Sequence, residues 1–496
     1  MGVLQGCPLS GMLFAIIIDP LLVKFEATVV DAGHGAVRVC ADDIGAALHS
    51  LDGLVPCHEI FVEAKAISNL TLKPSKCVLV PLAEKFSQPL AENILKWLRS
   101  NLPDWSDFLI QRSAKYLGFM LGPASQATQW AGTIAKWRLR TIEIAGTHAA
   151  ASVSAFLYNQ RAPPVLTYKC QLLPLPAQFR RIEKAGLHQL FHLATNSLDA
   201  AGPFVLAAAG GPKVTSCFAL AYAVAVRTAR KTLPQWPALK KRLVAAAEEH
   251  LPLQLWHDGC VSPPCWDSQP FVMHLANADQ GFPSHPEVRR AVEAARREPV
   301  CQQFLNGNRS KICIQKIVYQ KIVVNIHTNT LHILFAKRLR DNVPVLRPII
   351  DDIEWSAVLR TMRSLGSHCA MCVFKTFVNA WTTSRRFHEA VLATCILGCD
   401  AEDNLAHYLV CKRMCKAVKN SAREPAGCTV QERLGLAQNP KKRMQELAIA
   451  FTIFHTVKHG EHSLFLEALR TRNYFPLAAA VKSIARTAAA SFGRAN

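Results

Sequence analysis

The sequence lacks an apolar run long enough to span a membrane. The run at 12–23 is interrupted by Asp19, and the run at 218–226 is shorter than the roughly 20 residues that a membrane crossing needs. A secretory leader is also lacking, so the 17 cysteines are expected to be metal ligands or buried thiols rather than disulfides. These absences predict an intracellular protein, nuclear or cytoplasmic, that is neither secreted nor held in a membrane.

Acidic residues are scarce. The chain has 36 Asp and Glu against 57 Lys and Arg, which gives a formal net charge of +21 at pH 7. This excess predicts a polyanionic partner, most simply nucleic acid, and the alternative is a generally basic protein without such a partner. No aspartate follows Asp403. That absence argues against a C-terminal nuclease or ribonuclease H domain, because such domains hold their metal ions with several carboxylates.

Two adjacent aspartates, Asp42 and Asp43, lie between two short stretches with strand character. Residues 36–39 precede them and residues 44–48 follow, a pattern that predicts a β-hairpin with an acidic tip. Neighbouring carboxylates repel each other unless a cation lies beside them, and Mg²⁺ prefers carboxylate oxygen. The alternative is a solvated Asp-Asp turn without a function, since Asp is common in turns.

Three further motifs surround this hairpin in a characteristic order. Gln5-Gly6-Cys7-Pro8-Leu9-Ser10 precedes it, whereas Lys73-Pro74-Ser75-Lys76 and Tyr116-Leu117-Gly118 follow it. Together the four motifs resemble the palm of a reverse transcriptase of the non-LTR retrotransposon type, which is an RNA-directed DNA polymerase. The resemblance covers the first quarter of the chain.

The resemblance implies a function for each motif. The loop before the hairpin would contact the template and the nucleotide through Gln5, Gly6 and Ser10. Asp42 and Asp43 would hold Mg²⁺ in a two-metal site, and Lys76, or else Lys73, would be a further catalytic residue. The primer grip would consist of Tyr116, Leu117 and Gly118. The implied reaction adds a nucleotide to a DNA primer on an RNA template.

The sequence departs from the family pattern in two ways. Cys40 stands where the family usually has an aromatic residue. The family's first catalytic aspartate and its finger motifs lie upstream of the loop that contains Gln5 and Gly6, and no such motif precedes Gln5 here. We therefore expect an N-terminally truncated copy that cannot polymerise alone. The alternative is a non-enzymatic nucleic-acid-binding protein that uses its basic thumb and a zinc knuckle.

Cysteine and histidine recur at metal-ligand spacing in the pattern Cys395-x3-Cys399-x7-His407-x3-Cys411. Gly398 predicts a turn that brings the first two thiols together, and the spacing of the last two ligands predicts one shared helix face. Three thiolates and one imidazole make a closed, structural zinc site. The pattern resembles the Cys-Cys-His-Cys knuckle that follows the thumb in many non-LTR reverse transcriptases, and the basic segment 381–386 fits the segment that often precedes it.

Alternatives stay open around this motif. The four residues could be buried free cysteines with a surface histidine, and Cys415 is a rival of Cys411 as a ligand. Cys369 and Cys372, with His368, could form part of a second site. No second pair of ligands is obvious for them, so core thiols are the favoured interpretation.

The predicted fold class is α+β, since an antiparallel palm sheet with helices would be followed by mostly helical regions and a small zinc-binding module. The predicted domains are a partial palm at 1–125, a helical thumb-like region at 126–250, a linker and basic helical region at 251–365, a zinc-knuckle region at 366–420 and a basic helical tail at 421–496. Within the palm, residues 12–18 are expected to form a buried helix that Asp19-Pro20 ends or kinks. Basic clusters at 240–242 and 289–297 fit either phosphate contacts or solvated helix faces.

Overall fold

A computed structural model shows a mostly helical chain with a few short strands, which agrees with the α+β class. The structure describes residues 9–41, 43–82, 86–194, 197–198, 202–232, 315, 319, 331–390, 392–422, 429–437 and 439–493. The chain divides into two compact units, Met1–Gly132 and Thr133–Asn496. The finer division into five domains stays a prediction.

The first unit alternates helices with three two-stranded sheets. Its helices are α1 (Ser10–Phe25), α2 (Leu54–Ser68), α3 (Gln88–Asn101) and α4 (Ser125–Thr128), with a π-helical turn at Glu26–Asp31 and 3-10 turns at Leu51–Gly53, Pro74–Lys76 and Pro103–Trp105. Its strands are β1 (Gly35–Cys40), β2 (Asp43–Leu48), β3 (Val78–Leu79), β4 (Leu109–Ile110), β5 (Ala114–Tyr116) and β6 (Phe119–Leu121).

The strands pair in two ways. β1 and β2 form the predicted antiparallel hairpin, in which Cys40 is paired with Asp43 next to the turn. β5 and β6 form a second antiparallel hairpin. β3 and β4 are parallel, because α3 crosses over between them, and this pair departs from the expected antiparallel palm sheet.

The core of the first unit is built on α2 and α3, and α1 reaches it only through its C-terminal half. The buried core residues are Phe25, Val29, Cys57, Ile60, Ile94, Leu98, Leu102 and Trp105. The prediction that residues 12–18 are buried is therefore wrong for most of them. Ile18 is buried, whereas Met12, Ile16 and Ile17 are 57%, 62% and 61% exposed.

The sequence predicts that Asp19-Pro20 ends or kinks this helix. Pro20 does not end α1, which continues to Phe25, and a kink stays a prediction. A proline inside a helix leaves the carbonyl four residues earlier without its usual donor. That carbonyl belongs to Ile16, on an exposed part of the helix where solvent can supply the missing hydrogen bond.

The second unit is helical in the part that the structure describes. Its α-helices are α5 (Ala131–Gly146), α6 (Ala151–Arg161), α7 (Pro164–Thr167), α8 (Phe179–Leu190), α9 (Cys217–Thr232), α10 (Leu331–Asn342), α11 (Trp355–Arg363), α12 (Ser367–Phe377), α13 (Leu405–Val410), α14 (Lys412–Ala422), α15 (Val430–Arg433), α16 (Pro440–His459), α17 (His462–Thr471) and α18 (Phe475–Gly493). Short 3-10 segments lie at Lys169–Gln171, Gly202–Ala209, Pro344–Leu346 and Ile350–Asp352. The predicted break at Gly210-Gly211-Pro212 is confirmed, since these residues separate a 3-10 segment from α9.

Aromatic side chains form the core of the second unit. Trp137 is fully buried and contacts the rings of Tyr158 and Phe179 edge-on. Further along the chain, Trp381 packs against Tyr408 at 5.4 Å and Phe454 at 4.7 Å between ring centroids. Helix α16, which carries Phe454, packs against both α12 and α18 and so organises the C-terminal half of this unit.

Several predictions fall on residues outside the described ranges. They concern Gln5, Gly6 and Asp42, the basic clusters at 240–242 and 289–297, and most of the predicted linker and basic helical region at 251–365. Among the helices that the structure describes, none combines the length and the apolar composition that a membrane crossing requires.

Candidate metal centre

A short loop after α12 presents the first two thiols. The backbone amide of Cys395 donates to the carbonyl of Ala401 at 2.8 Å, and that of Gly398 donates to the carbonyl of Cys395 at 2.8 Å. Gly398 has a φ of +81°, and a Cβ there would lie 2.6 Å from the guanidinium of Arg413. The predicted turn between Cys395 and Cys399 is therefore present, and its left-handed backbone favours glycine.

Helix α13 presents the imidazole. Asn404 caps this helix, because its side-chain oxygen accepts a hydrogen bond from the backbone amide of His407 at 2.8 Å. Cys411 lies one residue beyond α13, with φ −58° and ψ 116°, so the prediction that His407 and Cys411 share a helix face is wrong. The chain turns between α13 and α14, and this turn brings the Cys411 thiol to the imidazole.

The four predicted ligands meet at one point. The ligand atoms of Cys395, Cys399, His407 and Cys411 all lie within 4.8 Å of one another. The Cys411 sulfur lies 4.0 Å from that of Cys395 and 3.6 Å from that of Cys399. Zinc–sulfur bonds of about 2.3 Å in a tetrahedron place two sulfurs about 3.8 Å apart. The thiols therefore have the spacing of a tetrahedral site.

The burial of the group also fits a metal ion. Cys395 and Cys411 are 0% and 1% exposed. The Nε2 atom of His407 is buried and has no hydrogen-bond partner. A buried nitrogen without a partner is destabilising unless something else binds it, and a metal ion would do so. Within the described residues this is the single group of its kind, and the structure shows that it could hold a metal such as zinc.

The sulfurs of this group accept hydrogen bonds from the backbone and form hydrogen bonds with one another. The backbone amides of Leu397 and Met414 donate to the sulfurs of Cys395 at 3.4 Å and Cys411 at 3.5 Å. The hydrogen bond between Cys395 and Cys411 lowers the pKa of Cys395 and raises the pKa of Cys411. Cys395 is thus the thiol of this pair that loses its proton more readily, and a bound cation would favour the thiolate form of all three cysteines.

A buried polar network holds the metal loop against the rest of the unit. The Tyr408 hydroxyl accepts a hydrogen bond from the backbone amide of Ile396 at 3.1 Å and donates to Asp403 Oδ1 at 2.6 Å. Burial and the neighbouring Asp403 carboxylate raise the pKa of Tyr408, so its phenol keeps the proton that it donates. Asp403 Oδ2 accepts from the backbone amide of Ser384 at 2.8 Å and lies 3.3 Å from Nζ of Lys458 on α16.

The competing cysteines have other environments. Cys415 receives a hydrogen bond from the Arg433 guanidinium, and the metal group contains Cys411 instead. Cys369 and Cys372 are both buried in α12, as the core-thiol interpretation predicts.

The basic segment before the loop is tied into the module. A guanidinium nitrogen of Arg385 donates to the Glu402 carboxylate at 2.9 and 3.1 Å. The Nε atom of Arg386 donates to the carbonyl of Asn379 at 3.0 Å. These two arginines therefore stabilise the fold around the metal loop.

The palm-like residues are only partly described. Asp43 is exposed at the start of β2, and Lys76 is exposed at the end of a 3-10 turn. Ser10 is the first residue of α1, and nothing is described of its side chain. The roles of Asp43, Lys76 and Ser10 in metal binding, catalysis and nucleotide binding stay predictions.

Two of the predicted motifs do meet within the first unit. The Tyr116 hydroxyl donates to the carbonyl of Arg38 on β1 at 3.0 Å, and a Cβ at Gly45 on β2 would lie 3.0 Å from the Tyr116 ring. Partial burial, together with the charges of Cys40 and Asp43, raises the pKa of Tyr116. Leu117 and Gly118 have φ values of +46° and +83° and turn the chain from β5 into β6. The Tyr-Leu-Gly hairpin thus lies against the acidic hairpin.

Sequence reasoning missed the groups that support the metal loop, and it missed a second buried polar cluster. Glu183 on α8 is 3% exposed and accepts a hydrogen bond from the backbone amide of Cys217 at 2.7 Å. Spacing could have revealed Glu183, because it lies four residues after Phe179 and four before Leu187, on the buried stripe of α8. No comparable signal marks Asp403.

Comparisons with known proteins add no family to this geometry. A scan against protein-family models found no match, and a search of curated proteins found none either. The resemblance to a reverse-transcriptase palm therefore stays a prediction that depends on its four motifs.

Proposed function

We propose that this chain is a nucleic-acid-binding protein whose second unit is stabilised by zinc, and that it is of the non-LTR reverse-transcriptase kind. The observation that carries the proposal is the convergence of Cys395, Cys399, His407 and Cys411. Three thiolates and an imidazole are the donor set that zinc prefers, and four protein ligands leave no position open for a substrate. The ion would therefore be structural, and it would link the loop at Cys395 to the turn at Cys411.

Charge supports nucleic acid as the partner. The net charge of +21 favours a polyanion, and the nucleic acid backbone is the most general one in a cell. The RNA template and DNA primer of the resembling family are polyanions of this kind. Binding through phosphates should weaken steeply with salt, because bound counterions are released when the complex forms.

The zinc proposal is tested by the metal content of purified protein. We expect one zinc per chain by elemental mass spectrometry, and loss of that zinc in Cys395→Ser and Cys411→Ser. Cys415→Ser is the matched control, since Cys415 lies four residues beyond Cys411 and contacts Arg433 instead. Full zinc content in Cys411→Ser together with loss of zinc in Cys415→Ser would show that Cys415, and not Cys411, is the fourth ligand. Full content in all three variants would refute the site.

The nucleic acid proposal is tested by fluorescence anisotropy with labelled RNA and DNA oligonucleotides over a range of salt concentrations. Cys395→Ser should bind more weakly than Cys415→Ser at the same salt concentration, because loss of zinc loosens the module that carries its basic residues. Binding without any salt dependence would contradict a phosphate-based interface.

A second candidate function is RNA-directed nucleotidyl transfer, favoured by the contact of Tyr116 with the acidic hairpin. In this function Asp42 and Asp43 would hold Mg²⁺, Gln5, Gly6 and Ser10 would contact nucleotide and template, and Lys76 would assist catalysis. Mn²⁺ as a probe for Mg²⁺ should broaden the amide NMR signals of Arg38 to Gly45 in the wild type and much less in Asp43→Asn.

Asp104→Asn is the control for that experiment, because Asp104 is an exposed aspartate of the same unit that pairs with His58. Equal broadening in Asp43→Asn and in the wild type would reject the hairpin as a metal site. A primer-extension assay on an RNA template complements this measurement, and the sequence expectation is that the chain alone gives no Mg²⁺-dependent synthesis.

A further inference from the structure

A set of cationic and titratable side chains in the second unit lies outside the group of metal-binding residues. We call it the histidine row, and its members are His148, His192, Lys375, His455 and His459. The four histidines reach solvent but are partly covered by their neighbours, and Lys375 is half-buried. None of the five is a ligand of the candidate metal centre.

One end of the row is built from two helix ends. His148 follows α5 and His192 follows α8, and both have left-handed backbone, with φ values of +50° and +49°. Their imidazole rings stack with centroids 5.1 Å apart and planes 14° apart. Left-handed backbone is uncommon for residues other than glycine, and such positions concentrate at functional sites. Two of them side by side hold the rings at fixed positions.

The other end of the row lies on α12 and α16. Nζ of Lys375 lies 5.7 Å from the centroid of the Phe451 ring, which contacts the His455 ring at 5.9 Å. The His455 and His459 rings are 4.7 Å apart, and Nε2 of His459 lies 2.9 Å from the hydroxyl of Thr382. Phe451 therefore fixes the position of both a lysine and a histidine.

The row carries no counter-charge in the part of the chain that the structure describes. No described carboxylate forms an ion pair with Lys375 or with the four histidines. The charged and titratable groups that face the row are cationic or thiol, namely Lys458 and His462 beside His459, His368 near Lys375 on α12, and Cys372 beside Lys375. The carboxylate of Asp403, which approaches Lys458, is engaged in an ion pair with that lysine.

Mutual repulsion is visible in the titration of these groups. Burial and the charges of Lys375 and His148 lower the pKa of His192. Burial, His459, Lys375 and His192 lower the pKa of His455 to about 4. Burial also lowers the pKa of Lys375. An anion bound among these groups would reverse the repulsion and stabilise their charged forms.

We propose that the histidine row is a binding site for a phosphate group. Imidazole and ammonium N–H groups are donors without an acceptor role when charged, and they form short, charge-assisted hydrogen bonds with phosphate oxygens. The phosphate could belong to a nucleic acid backbone or be free in solution, and the same chemistry recognises both. Binding takes up protons, so it is tighter at pH 6 than at pH 8.

The test uses the full chain with ¹⁵N-labelled histidine, and it follows the imidazole NMR signals at pH 6. The probes are inorganic phosphate and a twelve-nucleotide oligothymidylate without terminal phosphates. Lys375→Met removes the ammonium and keeps the apolar stem, and His192→Asn removes a ring with a residue that tolerates left-handed backbone. His388→Asn is the matched control, because His388 is exposed, has a φ of +55° and makes no ring contact with the row.

We expect inorganic phosphate to shift the signals of His148, His192, His455 and His459 together. Lys375→Met and His192→Asn should each weaken the phosphate affinity by about tenfold, as for loss of a charged hydrogen bond, whereas His388→Asn should not change it. A shift of the same signals by the oligonucleotide at lower concentration assigns the site to a nucleic acid backbone, and a response to inorganic phosphate alone assigns it to free phosphate. If neither probe shifts the row, or if His388 shifts as much as the row does, the proposal is overturned.

Discussion

The Tyr408 hydroxyl connects the metal loop to the helical core through two hydrogen bonds. It accepts a hydrogen bond from the backbone amide of Ile396, which lies between Cys395 and Cys399 in the sequence, and it donates one to the Asp403 carboxylate. Tyr408 is 2% exposed, so no water can replace either bond without opening the core. One oxygen atom therefore satisfies a donor of the loop and an acceptor of the buried ion pair with Lys458.

Tyr408→Phe should destabilise the second unit by about 1–3 kcal/mol, because it leaves a buried amide and part of a buried carboxylate without partners. Chemical denaturation followed by near-ultraviolet circular dichroism measures this change. Tyr474→Phe is the control, since it keeps the ring 5.0 Å from the Arg413 guanidinium and should change stability by less than about 0.5 kcal/mol. Equal stability of the two variants would show that the Tyr408 hydroxyl does not support the loop.

The sequence predicted the ligands of the metal centre and the turn at Gly398, but not the polar groups that hold the metal loop against the core. Ligands separated by three or seven residues must lie near one another when a glycine turns the loop, so their spacing is informative. Besides Tyr408, Asp403 takes its partners from residues 19 and 55 positions away, namely Ser384 and Lys458. Those contacts depend on how α16 packs against the loop, and no local pattern records that packing.

At the scale of one element, α8 shows how a helix can bury a charge. Its stripe of buried positions includes Phe179, Glu183 and Leu187. The Glu183 carboxylate accepts a hydrogen bond from the backbone amide of Cys217 at the start of α9. Burial raises the pKa of Glu183 to about 7, and the hydrogen bonds from Cys217 and the charge of Arg180 only partly oppose this rise. The helix is therefore held most firmly when Glu183 is protonated.

Glu183→Gln should change the pH dependence of stability, since Gln keeps an acceptor for the Cys217 amide. The pKa of Glu183 is raised in the folded state above its ordinary value of 4.5, so the wild type loses stability as pH rises through about 7. Between pH 5 and pH 7 the variant should gain about 2 kcal/mol relative to the wild type, because the slope is at most about 1.4 kcal/mol per pH unit and falls near each pKa. Urea unfolding at several pH values measures the difference.

Glu143→Gln is the control for the Glu183 prediction, because Glu143 is half-exposed and pairs with Arg161 on the surface. Its stability relative to the wild type should change little over the same pH range. The comparison with the wild type at each pH also separates the effect of Glu183 from that of the histidine row. The lowered pKa values of the row reduce the stability of the folded state as the pH falls, whereas the raised pKa of Glu183 increases it. A constant difference between Glu183→Gln and the wild type would mean that Glu183 is ionised throughout.

Helix α1 shows which element properties the sequence could not supply. An apolar run at 12–18 predicts a helix, and the helix is present. Whether such a run is buried depends on what packs against it, and only the part from Ile18 to Phe25 meets the core of the first unit. The hairpin at Asp43 was predictable, by contrast, because strand alternation and a turn are local properties.

For the whole molecule, the division into two units confines the metal centre to one of them. The first unit has its own core around Phe25, Ile60 and Leu98, and the four metal-binding side chains belong to the second. Within the second unit, Asp403 connects the metal loop to Lys458 on α16, and α16 packs against α12 and α18. Metal binding should therefore stabilise the helices around α16 and leave the first unit unchanged.

Hydrogen exchange of the full chain, with and without a zinc chelator, tests this confinement by mass spectrometry. Removing the ion leaves three thiols and the Nε2 atom of His407 without a metal ion to bind. The folded state then loses the free energy that metal binding contributes to its stability. Peptides from α13 and the C-terminal half of α16 should then exchange at least about tenfold faster, since a loss of about 1.4 kcal/mol of local stability is enough for that change. Peptides containing Ile60 or Leu98 are the internal reference and should exchange at the same rate. Faster exchange in both units would mean that the metal centre stabilises the whole chain, and unchanged exchange in α16 would mean that the Asp403–Lys458 contact does not transmit the effect.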